Sequence, residues 1–417
     1  MQLKKKLLGA GIAVALGAAG TASATTGYAP HGIGMKAKGM GGVGIAIAQD
    51  AVAAGMNPAN MAWVGNRVDL GVDIFRPIRD ASRTGSLNPA LDGNFDANGT
   101  KLFPIPEFGL NLAIDSAMTV GVSVFGNGGM NTDYKTAIPA FGTSKAGVDL
   151  AQMFVVPNFS YKLNQDNAVG VGLNLVVQAF EASGLQNFDG APSATPGKVT
   201  NNGHDISYGA GLRVGWTGKV APGVTVGATY QTRTYMTEFD DYKGLFAEQG
   251  DFDIPSNYGI GVAVEATPDL TIAADFMRIN YGEVDSISNT IACFVAGTCQ
   301  LGANNGPGFG WKDQNIVKVG VAYKAQPNLL LRAGYVHGSA VIPSSEVLFN
   351  FLAPATVQNH LTLGGTYTLG NGDEVTFAYM HAFEESIKGS IAAALGGGTG
   401  EIKMHQDSLG VAYSWKF

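Results

Sequence analysis

Residues 206–216, Ile-Ser-Tyr-Gly-Ala-Gly-Leu-Arg-Val-Gly-Trp, alternate between larger apolar side chains and small or polar ones. Because successive side chains of a β-strand point to opposite faces, this alternation predicts a strand with one apolar face. The pattern recurs at residues 68–74, 108–114, 120–124 and 409–417. A soluble antiparallel sandwich alternates in the same way. The second face here is mainly Gly, Ser, Thr and Asn, which instead favours the polar lumen of a membrane barrel.

The lengths of the connections between these strands also favour a barrel. Short turns alternate strictly with long segments, as the tight periplasmic turns and long outer loops of bacterial outer-membrane barrels do. The turns are expected near residues 115–116, 164–167, 218–223, 267–269, 326–328 and 370–372, and the long segments near residues 76–105, 126–151, 181–203, 236–255, 282–312, 340–356 and 385–403. We therefore predict an all-β fold, a transmembrane antiparallel β-barrel of about 14 strands that spans residues 64–417.

Residues 1–24 have the features of a cleaved signal peptide. Lys4 to Lys6 form a positive start, residues 7–19 an apolar core, and Ala22-Ser23-Ala24 a small-residue cleavage site. The apolar run is shorter than the ~20 residues that a membrane-spanning helix needs. Cleavage after Ala24 would leave 23 basic against 33 acidic residues, and this negative charge argues against nucleic acid as a partner.

The composition of the chain suits a membrane barrel. Charged residues make up 14% of the sequence, against about 25% in a typical soluble domain. There are also 59 glycines, and the mean hydropathy of +0.11 is too low for a bundle of membrane helices. After the signal peptide, no stretch reaches the ~18 consecutive apolar residues of a membrane-spanning helix.

Aromatic side chains alternate along the last predicted strand at Tyr413, Trp415 and Phe417. Such a strand with a C-terminal Phe resembles the signal that the outer-membrane barrel assembly machinery recognises. We therefore expect that machinery as a partner through Phe417. The expected location is the outer membrane of a Gram-negative bacterium, in contact with outer-membrane lipids.

Residues 25–63 are rich in Gly, Ala and Met and too irregular for one strand or one long helix. Glycines such as Gly39 and Gly41 let backbones approach closely inside a crowded lumen. Pro58 disfavours helical geometry at Asn57, so the chain can turn there towards the barrel wall. A nucleotide-binding glycine loop would need a preceding strand within a βαβ unit. We predict instead that residues 25–63 form an N-terminal hatch that plugs the lumen.

Three motifs of this segment, Gly39-Met40-Gly41, Ala48-Gln49-Asp50 and Asn57-Pro58-Ala59, resemble the hatch of FadL-type outer-membrane transporters, a family that includes TodX-like proteins. Residues 307–313 and 342–354 also look like stretches of that family. Its members carry long-chain fatty acids or aromatic hydrocarbons through a fourteen-stranded, plugged barrel. The resemblance covers the entire chain and implies passive, hatch-gated uptake of a hydrophobic substrate. It assigns Gly39, Met40, Gly41, Asn57, Pro58 and Ala59 to the hatch.

Large apolar side chains in the predicted outer loops offer a route for such a substrate. Apolar residues in a wet loop either pack on neighbouring loops or bind an apolar ligand, and both explanations stay open here. The candidate substrate-binding residues, most of them in the loops, are Phe103, Phe125, Phe141, Leu348, Phe349, Phe351 and Leu352.

The third predicted strand ends in Phe125-Gly126-Asn127-Gly128-Gly129, where glycines weaken the ladder. In the resembled family, a kink in this strand opens a lateral path from the lumen to the membrane. The resemblance therefore implies a lateral opening, with candidate residues Gly121, Gly126, Gly128 and Gly129. A change in the hatch near Gly27 and Tyr28 is expected to release the ligand.

Cys293 and Cys299 lie in one predicted outer loop and are the only cysteines. An oxidising compartment favours a disulfide that stiffens this loop. Zinc is the alternative, but no histidine lies nearby to complete four ligands. We predict the disulfide and no metal site.

Two other classes of function fit the sequence less well. The histidines and serines form neither a Gly-x-Ser-x-Gly nucleophile motif nor a His-Glu-x-x-His metal motif. We therefore expect no enzyme and no cofactor. A general or polar-solute porin is the alternative channel, but it needs a charged, water-filled constriction, and we expect few charges at inward positions. The predicted channel is a monomer.

Overall fold

Fourteen long strands each pair antiparallel with their neighbours in the computed structural model, which describes residues 26–417. The pairing of the last strand with the first, from Arg67 opposite Lys416 to Thr84 opposite Thr399, closes the sheet into a barrel. The prediction of about fourteen strands is therefore confirmed. The strands are β1 (Arg67–Thr84), β2 (Phe103–Ala113), β3 (Met118–Ala137), β4 (Lys145–Lys162), β5 (Asn167–Ser183), β6 (Asp205–Ala221), β7 (Val224–Gln231), β8 (Asn257–Thr267), β9 (Leu270–Ile279), β10 (Gln314–Gln326), β11 (Leu329–Gly338), β12 (Asn359–Thr368), β13 (Glu374–Ser390) and β14 (Thr399–Lys416).

The alternation along each strand separates an apolar outer surface from a polar inner one. On β6, Tyr208, Leu212 and Val214 are exposed on the outside, whereas Ser207 and Arg213 are buried on the inside. An apolar outer band with a polar interior is the arrangement of a transmembrane barrel. The predicted inside–outside pattern is thus present in the structure.

The barrel wall is tall on one side and short on the other. Strands β1, β3, β4, β13 and β14 run for 17 to 20 residues, whereas β7 to β9 run for 8 to 11. The long segments predicted at 76–105, 126–151 and 385–403 were therefore wrong because they were too long: much of each continues as strand. Above the apolar band the outward residues become polar, such as Arg76 and Asp407, so the alternation fades although the ladder continues.

Short elements fill the connections. Two extra strands pair with the wall, Gly93–Asp96 with β1 and Tyr235–Met236 with β6. The helical turns are Met35–Lys38, Ala53–Gly55, Pro58–Ala62, Pro89–Leu91, Gln186–Phe188, Asp240–Tyr242, Ala247–Gly250, Tyr281–Glu283, Asp285–Ser288, Ala292–Val295, Ser344–Glu346, Phe349–Phe351 and Ala393–Leu395. Over residues 26–417, these helices are all too short or too polar to cross a membrane. The predicted signal peptide, residues 1–24, lies outside the described residues.

Candidate transport site

Residues 26–63, called the hatch below, are almost entirely buried and touch inward-facing residues on opposite sides of the wall. Hatch backbone N–H groups donate to wall carboxylates around the barrel, and these bonds pair donors that would otherwise be buried without a partner. The bonds run from Ala51 to Asp69 of β1 (2.7 Å), from Met35 to Glu107 of β2 (3.0 Å) and from Gly44 to Asp275 of β9 (2.8 Å).

The two hatch lysines form buried ion pairs with the wall. Lys36 Nζ lies 2.5 Å from Glu374 of β13, and Lys38 Nζ lies 2.8 Å from Asp73 of β1. Burial lowers the pKa of Lys36. The inward side of the wall therefore carries more charges than we predicted. Many of them bind the hatch rather than line an open water channel, and sequence alone does not reveal those pairings.

Asp50 of the hatch is buried near these ion pairs. Burial raises the pKa of its carboxyl to about 6, and the neighbouring Asp69 carboxylate adds to the rise. Asp50 Oδ1 accepts a hydrogen bond from the backbone N–H of Val52, over 3.1 Å, which holds the local turn. The hatch thus contains both cations and an acidic group whose charge is costly to bury.

Wall glycines form the surface on which the hatch rests. A Cβ on Gly364 of β12 would lie 2.8 Å from the Cα of Gly39, and one on Gly170 of β5 would lie 2.3 Å from the carbonyl carbon of Pro58. Only glycine permits backbones to approach so closely. Some of the wall glycines therefore allow the hatch backbone to lie directly against the wall. The alternation of apolar and small residues in the sequence did not indicate this role.

Asn57 begins the last turn of the hatch, as predicted from the proline that follows it. Its backbone is extended, with φ −153° and ψ 110°, and its Oδ1 accepts from the backbone N–H of Ala59 over 3.0 Å. Its Nδ2 donates to the carbonyl oxygens of Ile45 (2.7 Å) and Trp216 of β6 (3.1 Å). One side chain therefore caps the helical turn at Pro58 and ties the hatch to the wall.

Gly39, Met40 and Gly41 lie where the hatch crosses strands β10 to β12. Met40 is fully buried in a small cluster with wall alanines. The backbone N–H of Gly41 donates to Oγ1 of Thr362 over 2.7 Å. The predicted Gly39-Met40-Gly41 motif thus contacts the wall through the backbone of Gly41 and the side chain of Met40.

An apolar cavity of about 40 Å³, the outer cavity, lies among the outer loops. Its lining includes three of the predicted substrate residues, Phe141, Phe349 and Leu352. A volume of this size is well below the ~150 Å³ that held benzene in an engineered cavity, so a ligand enters only if the loops move. The lining residues are Phe141, Val148, Phe180, Leu185, Phe188, Leu245, Phe246, Ser286, Leu301, Pro307, Gly308, Phe309, Phe349 and Leu352.

The other four candidates lie beside this cavity or elsewhere. Leu348 and Phe351 are buried in the same apolar cluster, and the Phe351 ring lies 6.2 Å from that of Phe141. Phe103 was predicted to lie in an outer loop, which was wrong, because it is the first residue of β2 and packs into a separate cluster of the lumen. Phe125 of β3 stacks on Phe154 at 5.6 Å, next to the hatch.

A second cavity of about 30 Å³, the inner cavity, lies between the hatch start and the wall. Gly27 of the hatch and Gly129 of β3 both line it. The other lining residues are Phe75, Pro77, Arg79, Met130, Asn131, Ala353, Pro354, Ala355, Met404 and Gln406. Of these two cavities, the outer one lies among the loops and the inner one lies beside the start of the hatch.

Strand β3 carries a bulge at Asn127 and loses one neighbour there. Its ladder with β2 runs only as far as the pair Glu107 and Phe125. From Gly126 onward, β3 remains paired with β4, across a one-residue register shift at Asn127. On the side that faced β2, its next pairing is the bridge between Asp133 and Asn98. The strand therefore does not end at Gly129, as we had predicted, but runs on beside an interrupted ladder.

Two prolines of β2, Pro104 and Pro106, lie beside this interruption, and neither has a backbone N–H to donate. On the lumen side, the backbone N–H of Gly129 donates to the carbonyl oxygen of Tyr28, over 3.1 Å. Gly126, Gly128 and Gly129 thus lie at the interruption. Gly121 does not, because it is still paired with Asn111 of β2.

The family model described as "Outer membrane protein transport protein (OMPP1/FadL/TodX)" matches residues 14–417. The chain belongs to this family. It is therefore an outer-membrane β-barrel of the transport-protein type, as the resemblance implied.

Solved structures of the FadL/TodX family share the fold. The toluene transporter TodX of Pseudomonas putida is 18% identical, with 93% of this chain and 99% of that chain covered and a TM-score of 0.68. The toluene transporter TbuX of Ralstonia pickettii is 17% identical, with 93% and 99% covered and a TM-score of 0.64. A Pseudomonas aeruginosa FadL homologue is 16% identical, with 96% and 100% covered and a TM-score of 0.66. A search of curated protein sequences finds no match.

In this FadL-type barrel, a chain of aromatic contacts joins the outer cavity to the hatch. Phe309 of the cavity lies 6.2 Å from Trp311, and Trp311 lies 5.3 Å from Tyr281. The Tyr281 hydroxyl donates to the carbonyl oxygen of Thr26 over 2.8 Å. The sequence did not point to Tyr281, whose role depends on a contact between residues 255 positions apart.

A disulfide joins Cys293 and Cys299, with Cα atoms 5.4 Å apart. The residue after the first cysteine, Phe294, packs on Phe188 (6.1 Å) and Phe349 (5.9 Å), both of which line the outer cavity. The disulfide therefore braces a loop that covers this cavity. Residues 26–417 contain no cluster of three or more His, Cys, Asp or Glu side chains arranged for a metal.

Proposed function

We propose that this FadL-family barrel mediates passive uptake of hydrophobic molecules across the outer membrane, with fatty acids or hydrocarbons as the substrate class. The observation that carries the proposal is the apolar outer cavity, whose contacts lead to the hatch start. Removing apolar surface from water yields about 25 cal/mol per Å². A cavity lined by phenylalanines and leucines therefore favours capture of an apolar molecule from solution.

The hatch gates the passage in this proposal. A ligand in the outer cavity displaces the loop that carries Phe309, and the displacement reaches Thr26 through Trp311 and Tyr281. The hatch start then moves away from Gly129 and opens the inner cavity. A ligand shifts such an equilibrium only by binding the open state better than the closed one, so differences in affinity drive the step and no energy source is needed.

Release is lateral, through the wall between β2 and β3. The interrupted ladder beyond Phe125 and the prolines Pro104 and Pro106 support this route, because this stretch of wall lacks part of its hydrogen bonding. The solved relatives support the substrate class, since two are described as toluene transporters and a third as a FadL homologue.

A general or polar-solute porin is the competing channel. Hatch ion pairs such as Lys36 with Glu374, and the close seat on the wall glycines, argue against an open aqueous pore. We further propose that the barrel has no enzymatic activity, works as a monomer and is assembled through recognition of Phe417. Its transport family favours the first of these, and its closed single-chain sheet the second.

Uptake by cells with and without the protein tests the proposal. Labelled toluene and labelled oleate represent the two substrate classes, and labelled sucrose reports a porin. We expect faster uptake of toluene or oleate, and no change for sucrose. Faster sucrose entry without either apolar compound would overturn the proposal in favour of a porin.

A further inference from the structure

Asn350 lies at the centre of the outer loops and uses both ends of its amide. It is fully buried in the loop between β11 and β12, residues 339–358, called the Asn350 loop below. Its Nδ2 donates to the carbonyl oxygens of Phe309 (2.7 Å) and Glu346 (2.8 Å). Its Oδ1 accepts from the indole Nε1 of Trp311 over 2.7 Å. One side chain therefore ties its own loop to the loop between β9 and β10.

Two further hydrogen bonds join the same two loops. The backbone N–H of Ile291 donates to Oε2 of Glu346, a buried side chain, over 2.9 Å. The backbone N–H of Lys312 donates to the carbonyl oxygen of Val341 over 2.8 Å. Separating the loops would leave buried polar groups without partners, which is costly. We therefore expect the two loops to move together.

The Asn350 loop also holds the part of β3 that lies beyond its ladder with β2. The Tyr134 hydroxyl donates to the carbonyl oxygen of Phe351 over 2.7 Å, and Oγ1 of Thr132 donates to that of Leu352 over 3.0 Å. Both wall side chains are buried, and both follow Phe125, where the ladder with β2 ends. The two bonds, called the clamp below, thus support a stretch of wall that lacks part of its own hydrogen bonding.

Leu352 connects the outer cavity to this stretch of β3. Its side chain lines the cavity, and its carbonyl oxygen belongs to the clamp. Because the cavity has a volume of only about 40 Å³, a ligand that enters has to push the lining aside. A shift of Leu352 lengthens its bond to Thr132, so filling the cavity strains the clamp.

We propose that Asn350 is a positioning residue that couples capture to release: it holds the Asn350 loop where Phe351 and Leu352 clamp β3. This inference rests on the proposed function. A ligand in the outer cavity displaces the loop, both clamp bonds break, and the outer part of β3 is free to move away from β2. An empty barrel keeps its lateral exit shut. The hatch responds to the same event, since Trp311 bonds to Asn350 and contacts Tyr281.

Amide hydrogen exchange at residues 127–134 of β3 reports the state of the clamp. It is measured by mass spectrometry on the full-length protein in lipid nanodiscs. The apolar probe is toluene or oleate, whichever the wild-type protein takes up faster in cells. We expect a saturating amount of this probe to accelerate exchange at residues 127–134 by about fivefold, the factor that loss of one ordinary hydrogen bond provides.

Asn350→Ala should produce about the same acceleration without the apolar probe. The probe should then add less than about twofold, because the displacement that it causes has already taken place. A residue with a merely structural role would leave the response to the probe intact. The non-additive response therefore distinguishes coupling from a general loss of stability.

Asn289→Ala is the matched control. The Asn289 side chain makes one amide hydrogen bond, from Nδ2 to the carbonyl oxygen of Gly306 over 2.9 Å, within the neighbouring loop. Its loss should leave both the exchange at residues 127–134 and the response to the apolar probe as in the wild-type protein. Equal effects of Asn289→Ala and Asn350→Ala would overturn the inference.

The combination of Thr132→Val with Tyr134→Phe removes both clamp bonds and keeps the shapes of the side chains. Exchange should accelerate at residues 127–134 but not at residues 307–311, and the apolar probe should again add little. This variant also serves if Asn350→Ala does not fold. A full response to the probe in either variant would overturn the inference.

Uptake of labelled toluene and oleate by cells, measured in parallel, separates this inference from the proposed function. Normal uptake by the wild-type protein, together with exchange at residues 127–134 that does not respond to the apolar probe, would overturn the coupling and leave the uptake function standing. Failure of both compounds to enter faster with the protein than without it would overturn both.

Discussion

The hydroxyl of Tyr281, in the loop between β9 and β10, donates a hydrogen bond to the backbone carbonyl oxygen of Thr26, over 2.8 Å. The same ring packs edge-on against Tyr28, with centroids 5.4 Å apart. An outer loop and the start of the hatch are therefore joined directly. Any displacement of this loop acts on the hatch without an intermediate element.

Tyr281→Phe should loosen the hatch start while keeping the ring in place. A net hydrogen bond of this kind contributes about 1 kcal/mol, so amide hydrogen exchange at residues 26–30 should accelerate by about five- to tenfold. Tyr242→Phe is the control, since the Tyr242 hydroxyl donates to Gly203 in another loop, over 2.6 Å. Equal exchange in the two variants would contradict a specific link between Tyr281 and the hatch.

Gly364→Ala and Gly365→Ala should differ sharply although the residues are adjacent. A methyl group on Gly364 meets the hatch backbone at Gly39, whereas one on Gly365 comes no closer than 3.7 Å to Leu331. Forced overpacking costs about 1–3 kcal/mol, so we expect Gly364→Ala to lower the Tm. Because the added methyl group pushes against the hatch, we also expect the hatch to seal the lumen less well and to let large antibiotics pass. Thermal melting and antibiotic sensitivity measure both effects. Wild-type behaviour of Gly364→Ala would show that the hatch shifts freely on the wall.

Leu352→Asp should abolish capture at the outer cavity. Leu352 is largely buried against phenylalanines, so a carboxylate there leaves either a buried charge or an opened, wet cavity. We expect uptake of the labelled apolar substrate to fall by at least about tenfold, with normal amounts of folded barrel in the outer membrane. Leu87→Asp, at a loop leucine that is 75% exposed, should leave uptake unchanged.

The stability of the outer loops should depend on pH through Asp251. Burial raises the pKa of this carboxyl to about 7, and the nearby Asp253 carboxylate adds to the rise. Since the folded pKa lies above the unfolded value of about 3.9, the protonated form is favoured by folding. The resulting stabilisation is complete below about pH 4 and is lost as the pH rises through about 7.

Asp251→Asn tests this dependence, because an amide keeps the shape but does not titrate. In the wild-type protein, amide hydrogen exchange in the loop at residues 232–256 should slow from pH 8 to pH 5. This decrease should be larger than the one caused by the intrinsic pH dependence of the exchange reaction. In the variant this excess should vanish. Asp240→Asn, at an exposed residue of the same loop, should behave as the wild-type protein does. An unchanged pH profile in Asp251→Asn would assign the effect to another group.

Deletion of Asn127 should remove the bulge and straighten β3 at the point where it leaves β2, since a bulge bends the strand that carries it. If release is lateral, this deletion should reduce uptake of apolar substrates strongly while the barrel still folds. Asn127→Ala keeps the bulge and should transport normally. Full activity of the deletion variant would place the exit elsewhere.

The fold was predictable because its main signal is local. Alternation at stretches such as residues 206–216, together with regular connection lengths, is sufficient to indicate strands, their number and their inner face. The turn at Asn57 followed from the proline after it. These features depend on residues close together in sequence, so no knowledge of distant contacts was needed.

The details of the site were less predictable because they depend on distant pairs. Lys36 and Glu374 are separated by 338 positions, and nothing local marks either as half of an ion pair. Phe103 reads as a loop residue until its pairing with Phe75 of β1 is known. The pairs of glycines that let the hatch and wall backbones approach closely, such as Gly39 and Gly364, likewise cannot be recognised as pairs from the sequence.

The ion pairs of the hatch have a consequence for the order of folding. Residues 26–63 are synthesised before every strand, yet their partners are spread over the wall from Asp73 of β1 to Glu374 of β13. The seat of the hatch does not exist until the final strands have joined the sheet. The hatch is therefore made before the strands, but it completes its contacts with the wall only when the last strands close the barrel around it.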